Sequence, residues 1–398
     1  IILYKYLFIL NSLPLPHTIS AAPMFYFHIP FCKQACHYCD FHFSTSLKYK
    51  EDLLQAMHQE IELRASYLDN KKVESIYFGG GTPSILQAKE IDALIGKVAK
   101  YFEISSDAEI TLEANPDDLD KKKVQALRNT EINRLSIGIQ SFFEEDLKWM
   151  NRAHNSDEAR SSIMRVQDAG FENITCDLIY GYPLLTNSKW KTNMQSLIDL
   201  EIPHISSYSM TVEKKTALAH LFNKGKTPAL NEQQSAEQML LLIDTLTSSG
   251  YEHYEISNFA KPDRYARHNS NYWKGKPYLG IGPSAHSFNG TSRSWNIANN
   301  ALYIKGILTK ELPLETEQLS KNDRFNEYVM TSLRTKWGID KNYVEKEFGN
   351  DYLSTILRNI EQYVHNQEVL ISEEGIISLS PSGKLLADQI AAELFIVD

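Results

Sequence analysis

The chain has 398 residues, of which 42% are hydrophobic and 23% charged, so it is long enough for roughly two or three globular domains. Its 41 Lys and Arg residues against 50 Asp and Glu residues give a formal net charge of −9, which offers no basic surface to nucleic acid or anionic lipid. The 4 cysteines are too few for a disulfide scaffold, and no apolar run approaches the roughly 18 residues that a membrane span needs.

Residues 1–23 differ from the rest of the chain. The first ten residues are mostly apolar, and Ser20-Ala21-Ala22 resembles a cleavage site, a combination typical of a secretory signal. Met24, however, directly precedes the first clear strand, and export would carry the cysteines into an oxidising compartment. We therefore interpret residues 1–23 as a translated extension that is poorly ordered, and we place the protein in the cytoplasm.

Strand and helix patterns alternate from Met24 to about residue 210. Runs typical of buried strands occupy 25–29, 75–78, 109–113, 134–139, 173–179 and 204–210. Helical periodicity occupies 49–68, 88–101, 121–129, 144–150, 156–169 and 188–200. About six strand–helix units predict an α/β fold with a parallel sheet, either open and doubly wound or a partial (β/α)6 barrel. In both folds the polar residues at the carboxyl ends of strands, here Glu113, Gln140 and Asp177, face the functional side.

The alternation stops beyond about residue 227. A helix is predicted at 232–249 and a strand at 251–256, followed by a loop-rich stretch at 267–288 with many aromatic and histidine residues. Helices are predicted from residue 321, at 341–348 and at 352–367. A hairpin of 368–371 and 375–379 follows, and a last helix begins at 382. We predict a barrel over 24–226, a connecting region over 227–320 and a mostly helical, winged-helix-like domain over 321–398. Because the chain is acidic, we expect this last domain to pack or bind a partner protein rather than DNA.

Three cysteines, Cys32, Cys36 and Cys39, lie in one short segment after the first predicted strand. Thiolates at this spacing can reach three corners of a 4Fe-4S cluster, which leaves one iron open to chelate a small molecule. Zinc is an alternative, but a structural zinc site needs a fourth ligand. The nearby residues that could supply it are His28, His37 and His42. Reduced thiols without a metal are a further alternative.

Two motifs together resemble the radical S-adenosylmethionine (SAM) superfamily: the Cys-x3-Cys-x2-Cys segment and the Gly-Gly-Gly-Thr-Pro string at 79–83. Longer strings narrow the resemblance to the oxygen-independent coproporphyrinogen III oxidase-like proteins and, among them, to the haem chaperone (HemW) branch. These strings are Ile-Pro-Phe-Cys at 29–32, Cys-Asp-Phe at 39–41 and Arg-His-Asn-Ser-Asn-Tyr-Trp at 267–273. The resemblance runs from about Met24 to the end of the chain. It implies a radical SAM partial barrel that holds a 4Fe-4S cluster with exchangeable S-adenosyl-L-methionine.

The resemblance also implies which residues bind these cofactors. Cys32, Cys36 and Cys39 would be the metal ligands. The residues that would contact SAM are Tyr26, Tyr38, Gly80, Gly81, Thr82, Glu113, Gln140, Arg152 and Asp177. The glycines would let the backbone approach the methionine part closely, and Arg152 could pair with a carboxylate of SAM or of a porphyrin.

Several of these residues have plainer alternatives. The glycine string could be a simple strand–helix turn, Asp177 a helix cap, Arg152 a surface ion pair and Tyr38 a packing residue. The remaining cysteine, Cys176, lies in a strand pattern and is predicted to be a buried small side chain rather than a ligand. No catalytic residue is assigned.

The string His268-Asn269-x-x-Tyr272-Trp273 carries the implied haem site. By resemblance, His268 would be the axial ligand of haem iron, and the neighbouring Tyr and Trp would cover the flat face of the macrocycle. Without the resemblance, a histidine among aromatic residues is more often a hydrogen-bonded structural residue. His286 is a second candidate, which could equally line the SAM pocket.

Two departures from the oxidases argue against their chemistry. Phe41 stands where those enzymes carry a fourth Cys, and residues 1–23 show no similarity to their N-terminal segment. Our hypothesis is a haem chaperone that transfers haem to an acceptor protein. The alternatives are oxidative decarboxylation of coproporphyrinogen III to protoporphyrinogen IX, and a scaffold protein with structural zinc. The implied partners are the haem acceptor and an electron donor of the flavodoxin or ferredoxin type. A homodimer and weak membrane association through a partner are compatible with the resemblance, and no nucleic acid is expected.

Overall fold

The six predicted strands form the parallel centre of one sheet in the computed structural model, which describes residues 22–397. These strands are β1 Met24–Ile29, β2 Lys72–Gly80, β3 Glu103–Ala114, β4 Arg134–Gln140, β5 Ile174–Tyr180 and β6 His204–Ser209. They are neighbours in chain order, and each adjacent pair is parallel. This arrangement is the predicted partial (β/α)6 barrel: within the described residues β1 and β6 do not pair, so the sheet stays open.

Helices connect these strands and cover the outer face of the sheet. They are α1 Lys50–Leu63, α2 Ala88–Ala99, α3 Lys121–Arg128, α4 Glu144–Trp149, α5 Ser156–Asp168 and α6 Asn187–Asp199. In α2 the buried residues Ile91, Leu94, Ile95 and Val98 share one face, as the 3.6-residue period predicts. The main hydrophobic core lies between this helical layer and the strands.

The connecting region adds strands to both edges of the same sheet. Beyond β6 the chain forms α7 Ala217–Asn223, α8 Glu232–Ser248, β7 Glu252–Glu255, β8 Asn258–Ala260, α9 Arg267–Trp273, β9 Tyr278–Ile281, β10 His286–Phe288, β11 Ser292–Asn296, α10 Asn300–Leu308 and β12 Leu314–Gln318. β8 pairs with β6 in the antiparallel sense, and β9 pairs with β1 in the parallel sense. The prediction of a loop-rich stretch at 267–288 is therefore wrong. These strands are short, and their pairing depends on the free edges of β1 and β6 rather than on local sequence.

The C-terminal region has its own core and its own small sheet. Its elements are α11 Lys321–Leu333, β13 Ile339–Asp340, α12 Lys341–Phe348, α13 Asn350–Asn359, α14 Glu361–His365, β14 Val369–Ile371, β15 Ile376–Leu379, α15 Pro381–Leu385 and α16 Ala387–Leu394. The hairpin β14–β15 is present as predicted, and β13 completes an antiparallel sheet of order β13-β15-β14. Phe325, Ile356 and Ile390 are fully buried members of the separate core.

The predicted extension at 1–23 lies, except for its last two residues, outside the described residues. Within residues 22–397, no helix combines the length and the apolar character that crossing a membrane requires.

Candidate functional site

A cavity of about 190 Å³ lies inside the partial barrel and is lined by side chains from all six central strands. Strand β4 shows how the sequence builds it. Leu135, Ile137 and Ile139 belong to the hydrophobic core, whereas the alternate residues Arg134, Ser136, Gly138 and Gln140 line the cavity. Because neighbouring residues of a strand point to opposite faces, polar alternate positions leave the barrel interior open to a polar ligand.

Every site residue predicted from the sequence lines this one cavity. These residues are Tyr26, Cys32, Cys36, Tyr38, Cys39, Gly80, Gly81, Thr82, Glu113, Gln140, Arg152, Asp177 and His268. They come from five strands, three loops and one helix, so the fold alone brings them together. Two residues that are not in this set, Cys176 and His286, lie outside the cavity lining. Cys176 is fully buried in the core, as predicted, and His286 stacks on Trp295 away from the cavity.

The cysteine segment is fixed by backbone hydrogen bonds. The amide of Cys32 donates to the carbonyl of Ser44 at 3.0 Å, and the amide of Cys39 donates to the carbonyl of Cys36 at 3.2 Å. All three thiols are half-buried. Burial raises the pKa of Cys32 to about 11 and that of Cys39 to about 12, so these groups are neutral thiols until a metal replaces the proton.

The three cysteines line one cavity without forming, among the described residues, a site for a single metal ion. Within residues 22–397, no group of three or more His, Cys, Asp or Glu side chains converges as a single metal ion requires. Each candidate zinc histidine donates one ring nitrogen to the protein: His28 Nε2 to the carbonyl of His42 at 2.9 Å, His37 Nδ1 to that of Trp149 at 2.9 Å, and His42 Nε2 to Asn300 Oδ1 at 2.7 Å. The second nitrogen of each ring belongs to no such metal group among the described residues. Cys32, Cys36 and Cys39 nevertheless line the same cavity, so one bound group could contact all three sulfurs.

The glycine string lies against the start of the cysteine segment. The amide of Gly81 donates to the carbonyl of Ile29 at 2.9 Å, and the amide of Thr82 donates to that of Phe31 at 2.6 Å. A Cβ at Gly81 would lie 2.6 Å from the Phe31 carbonyl oxygen and 2.8 Å from that of Ile29. Gly81 is therefore required for two backbones to approach each other, which a plain turn would not demand.

Arg152 connects the cysteine segment to the strand ends. Its Nη1 donates to the sulfur of Cys36 at 3.3 Å and to the hydroxyl of Tyr38 at 3.2 Å. Its Nη2 donates to Asn115 Oδ1 at 2.8 Å and to the carbonyl of Gly138 at 2.9 Å. The buried Nε has no hydrogen-bond partner among the described residues. The alternative of a surface ion pair is therefore wrong, and a cationic donor remains available to a carboxylate in the cavity.

Two carboxyl groups lie on neighbouring walls of the same cavity. Tyr77 donates its hydroxyl to Glu113 Oε1 at 2.8 Å, and burial, together with the charge of Asp177, raises the pKa of Glu113 to about 7. Burial also raises the pKa of Asp177 to about 6. Asp177 lies inside β5, so the alternative of a helix cap is wrong. Partly protonated buried carboxyls of this kind favour a cationic ligand, whose charge would stabilise the ionised form.

His268 stands in the first turn of α9, where the backbone amides of Arg267 and His268 both donate to the carboxylate of Glu109. Its Nδ1 shares a hydrogen bond of 2.8 Å with Ser75 Oγ, and its ring stacks on Tyr77 with the centroids 5.0 Å apart. Burial lowers the pKa of His268 to about 3, so the imidazole is neutral. Its Nε2 is buried without a partner among the described residues. A neutral imidazole with a free nitrogen on a cavity has the chemistry of a metal ligand.

Tyr272 and Trp273 do not both line the barrel cavity. Tyr272 lines the barrel cavity beside His268, whereas Trp273 lines a second cavity on the other side of α9. The reason is that 267–273 forms a helix, in which residues five positions apart point about 140° away from each other.

Several residues that shape the cavity were not predicted from the sequence. Tyr77 contacts both Glu113 and His268, Asn115 holds Arg152, and Arg134 is buried and donates to Asn173 and Thr175. None of them belongs to a recognisable motif. The signal that could have found Tyr77 and Arg134 is the alternation of polar and apolar residues along β2 and β4.

Comparisons with known proteins agree with this geometry. A family model described as Radical SAM superfamily matches residues 26–197, and one described as HemN C-terminal domain matches residues 319–386. The heme chaperone HemW of Bacillus subtilis is 31% identical over 368 residues, which cover 92% of this chain and 97% of that protein. The heme chaperone HemW of Lactococcus lactis is 32% identical and covers 94% of this chain and 97% of that protein.

Among solved structures, the coproporphyrinogen III oxidase HemN from Escherichia coli, a radical SAM enzyme, is similar with a TM-score of 0.82. The match covers 94% of this chain and 90% of that chain at 24% sequence identity. At this identity the likeness establishes a common fold and nothing about the reaction.

Proposed function

Because this chain belongs to the HemW family of haem chaperones within the radical SAM superfamily, we propose that it binds haem and transfers it to an acceptor protein. The observation that carries the proposal is the buried, unpartnered Nε2 of His268 on a cavity that also holds the three cysteines. A neutral imidazole nitrogen is a common axial ligand of haem iron.

The family implies a 4Fe-4S cluster and SAM, and we propose which residues hold them. Cys32, Cys36 and Cys39 would ligate the cluster. Around SAM, Glu113 and Asp177 would attract the cationic groups, and the free Nε of Arg152 would donate to the carboxylate. The other proposed contacts are Tyr26, Tyr38, Gly80, Gly81, Thr82 and Gln140, all of which line the cavity. When bound, the cluster and SAM supply one-electron reductive chemistry.

For haem, the residues around His268 determine which nitrogen is available. In the tautomer whose Nδ1 donates to Ser75, the lone pair resides on Nε2, which faces the cavity. The rings of Tyr77 and Tyr272 pack on the imidazole, with centroids 5.0 Å and 4.9 Å away, and hold its orientation. An imidazole held in this way is ready to ligate iron without first being deprotonated.

The oxidase alternative is supported only by a common fold. Phe41 lines the cavity at the position where the oxidases carry a fourth Cys, so this side chain adds no sulfur to the site. No observation on this chain favours decarboxylation over haem transfer.

Several further features of the protein are proposals of the same kind. We propose the domain division 24–226, 227–320 and 321–398, which is supported by the separate C-terminal core. A cytoplasmic location is supported by the three cluster thiols, which require a reducing compartment. An electron donor of the flavodoxin or ferredoxin type, a homodimer and weak membrane association through a partner are also proposed, on the resemblance alone.

A haem titration tests the function. We expect the anaerobically reconstituted protein to give a Soret band with haem, and H268A to bind haem about 10-fold more weakly or not at all. H286A is the matched control, because His286 stacks on Trp295 outside the cavity. If H268A and the unaltered protein bind haem with the same affinity, His268 is not the ligand of haem iron. Formation of protoporphyrinogen from coproporphyrinogen III with SAM and a reductant would favour the oxidase instead.

A further inference from the structure

A second cavity, of about 290 Å³, lies between the connecting region and the C-terminal domain. One wall comes from Trp273 at the end of α9 and from Tyr278, Phe288 and Arg293 on the flanking strands. The opposite wall comes from α11 and from the segment around Trp337. Tyr272 lines both this cavity and the barrel cavity, so the two meet at its ring.

Two hydrogen-bond donors on this cavity have no acceptor. Trp273 and Arg293 are each only 9% exposed, yet Trp273 Nε1 and Arg293 Nε have no partner among the described residues. Both atoms can only donate, and buried donors in folded proteins are almost always paired. Because both side chains adjoin the same empty space, they are arranged for a ligand that carries an acceptor, such as a carboxylate.

The walls indicate what kind of molecule carries that acceptor. Tyr272, Tyr278, Phe288 and Trp337 provide flat apolar surfaces. Trp273, Arg293 and these rings together fit a flat aromatic molecule with an acidic edge.

The charges around the cavity agree with an acidic ligand. The lining cations are Lys274, Lys276 and Arg293, against the lining carboxylates of Glu327 and Asp340, and Lys276 is paired with Glu74 at 2.6 Å. Arg293 forms an ion pair with Glu327 through Nη2, which leaves Nε free. Lys274 lies over the ring of Trp337, with its Nζ 4.4 Å from the centroid, and no carboxylate of the described residues pairs with it.

We propose that this cavity is a second porphyrin site, in which Trp273 Nε1 and Arg293 Nε donate to a propionate. The proposal rests on the proposed haem function, and it assigns the His and the Trp of one motif to two adjacent subsites. The proposed contacts are to a propionate and to the faces of the macrocycle, and neither needs iron. Iron-free protoporphyrin IX is therefore a sufficient probe.

The test is a fluorescence titration of the reconstituted full chain with protoporphyrin IX. We expect W273F and R293K each to raise the Kd about 10-fold, the effect of one lost hydrogen bond to a charged group. W149F is the matched control, because the indole of Trp149 donates to Thr227 Oγ1 at 3.0 Å outside both cavities. Its Kd should equal that of the unaltered protein.

The dimethyl ester of protoporphyrin IX tests the carboxylate directly in the unaltered protein, where no variant can misfold. We expect the ester to bind about 10-fold more weakly than the acid. Equal binding of ester and acid, or an unchanged Kd in both W273F and R293K, would overturn the proposal. The haem titration with H268A reports iron ligation, which an iron-free porphyrin cannot report, so the two proposals fail separately.

Discussion

Nδ1 of His268 lies 2.8 Å from Oγ of Ser75, which ties the first turn of α9 to the inner face of β2 across 193 positions of sequence. The serine hydroxyl can accept from Nδ1 or donate to it, and in the tautomer whose Nδ1 donates, Nε2 keeps its lone pair. Residues that orient a metal-ligating histidine in this way affect the affinity almost as strongly as the ligand does.

We therefore expect S75A to weaken haem binding about 10-fold, and, because the lost hydrogen bond is buried, to lower the free energy of unfolding by about 1–3 kcal/mol. The measurement is the Soret titration, paired with a thermal denaturation. S105A is the control, because Ser105 bonds only to Asp107 on the exposed start of β3. Haem affinity that is the same in S75A and S105A would show that the serine does not orient the imidazole.

The cysteines give a prediction about metal content. C32S, C36S and C39S should each lose most of the iron and sulfide that the unaltered protein gains on anaerobic reconstitution, because a cubane with three protein ligands has none to spare. C176S should keep them, since Cys176 is fully buried in the core. Stoichiometric zinc with no iron in the unaltered protein would contradict the cluster assignment.

Glu113 gives a prediction about pH. Its pKa in the fold, about 7, is above the ordinary value of 4.5, so the folded protein binds more protons than the unfolded chain between these values. The contribution of Glu113 to the free energy of unfolding of the cofactor-free protein should therefore be largest below about pH 4.5. This contribution should fall as the pH rises to 7.

E113Q should flatten that part of the profile, because the amide does not titrate. The measurement is denaturant unfolding between pH 5 and 7.5, with the exposed carboxylate variant E131Q as the control. A profile for E113Q as steep as that of the unaltered protein would show that the carboxyl is not held protonated by its surroundings.

The close approach of two backbones at Gly81 gives a prediction about stability. Its control is a glycine variant for which the opposite change in the free energy of unfolding is expected. G81A places a Cβ 2.6 Å from the carbonyl oxygen of Phe31, so we expect a loss of about 1–3 kcal/mol in the free energy of unfolding. G96A adds a Cβ on exposed α2, where nothing lies within 4 Å, and should stabilise the protein by about 0.5–1 kcal/mol. Equal stability of the two variants would contradict the tight packing at Gly81.

The six β/α units could be predicted because each strand and helix repeats its own hydrophobic period. The flanking strands could not: β8 and β10 have three residues each, and they exist because β6 and β9 offer them a free edge. The site residues with motifs were all predicted, whereas Tyr77 and Arg134 were not, since an alternating pattern does not reveal which polar residue will meet which. The sequence predicted a loop at 267–273, so it did not predict that His268 and Trp273 lie on different sides of a helix.

Tyr77 touches the acidic wall with its hydroxyl and the imidazole of His268 with its ring. A molecule that takes over the hydrogen bond to Glu113 thus also alters the surface against which His268 rests. The acidic end of the cavity and the ring packed against His268 therefore share one side chain, Tyr77.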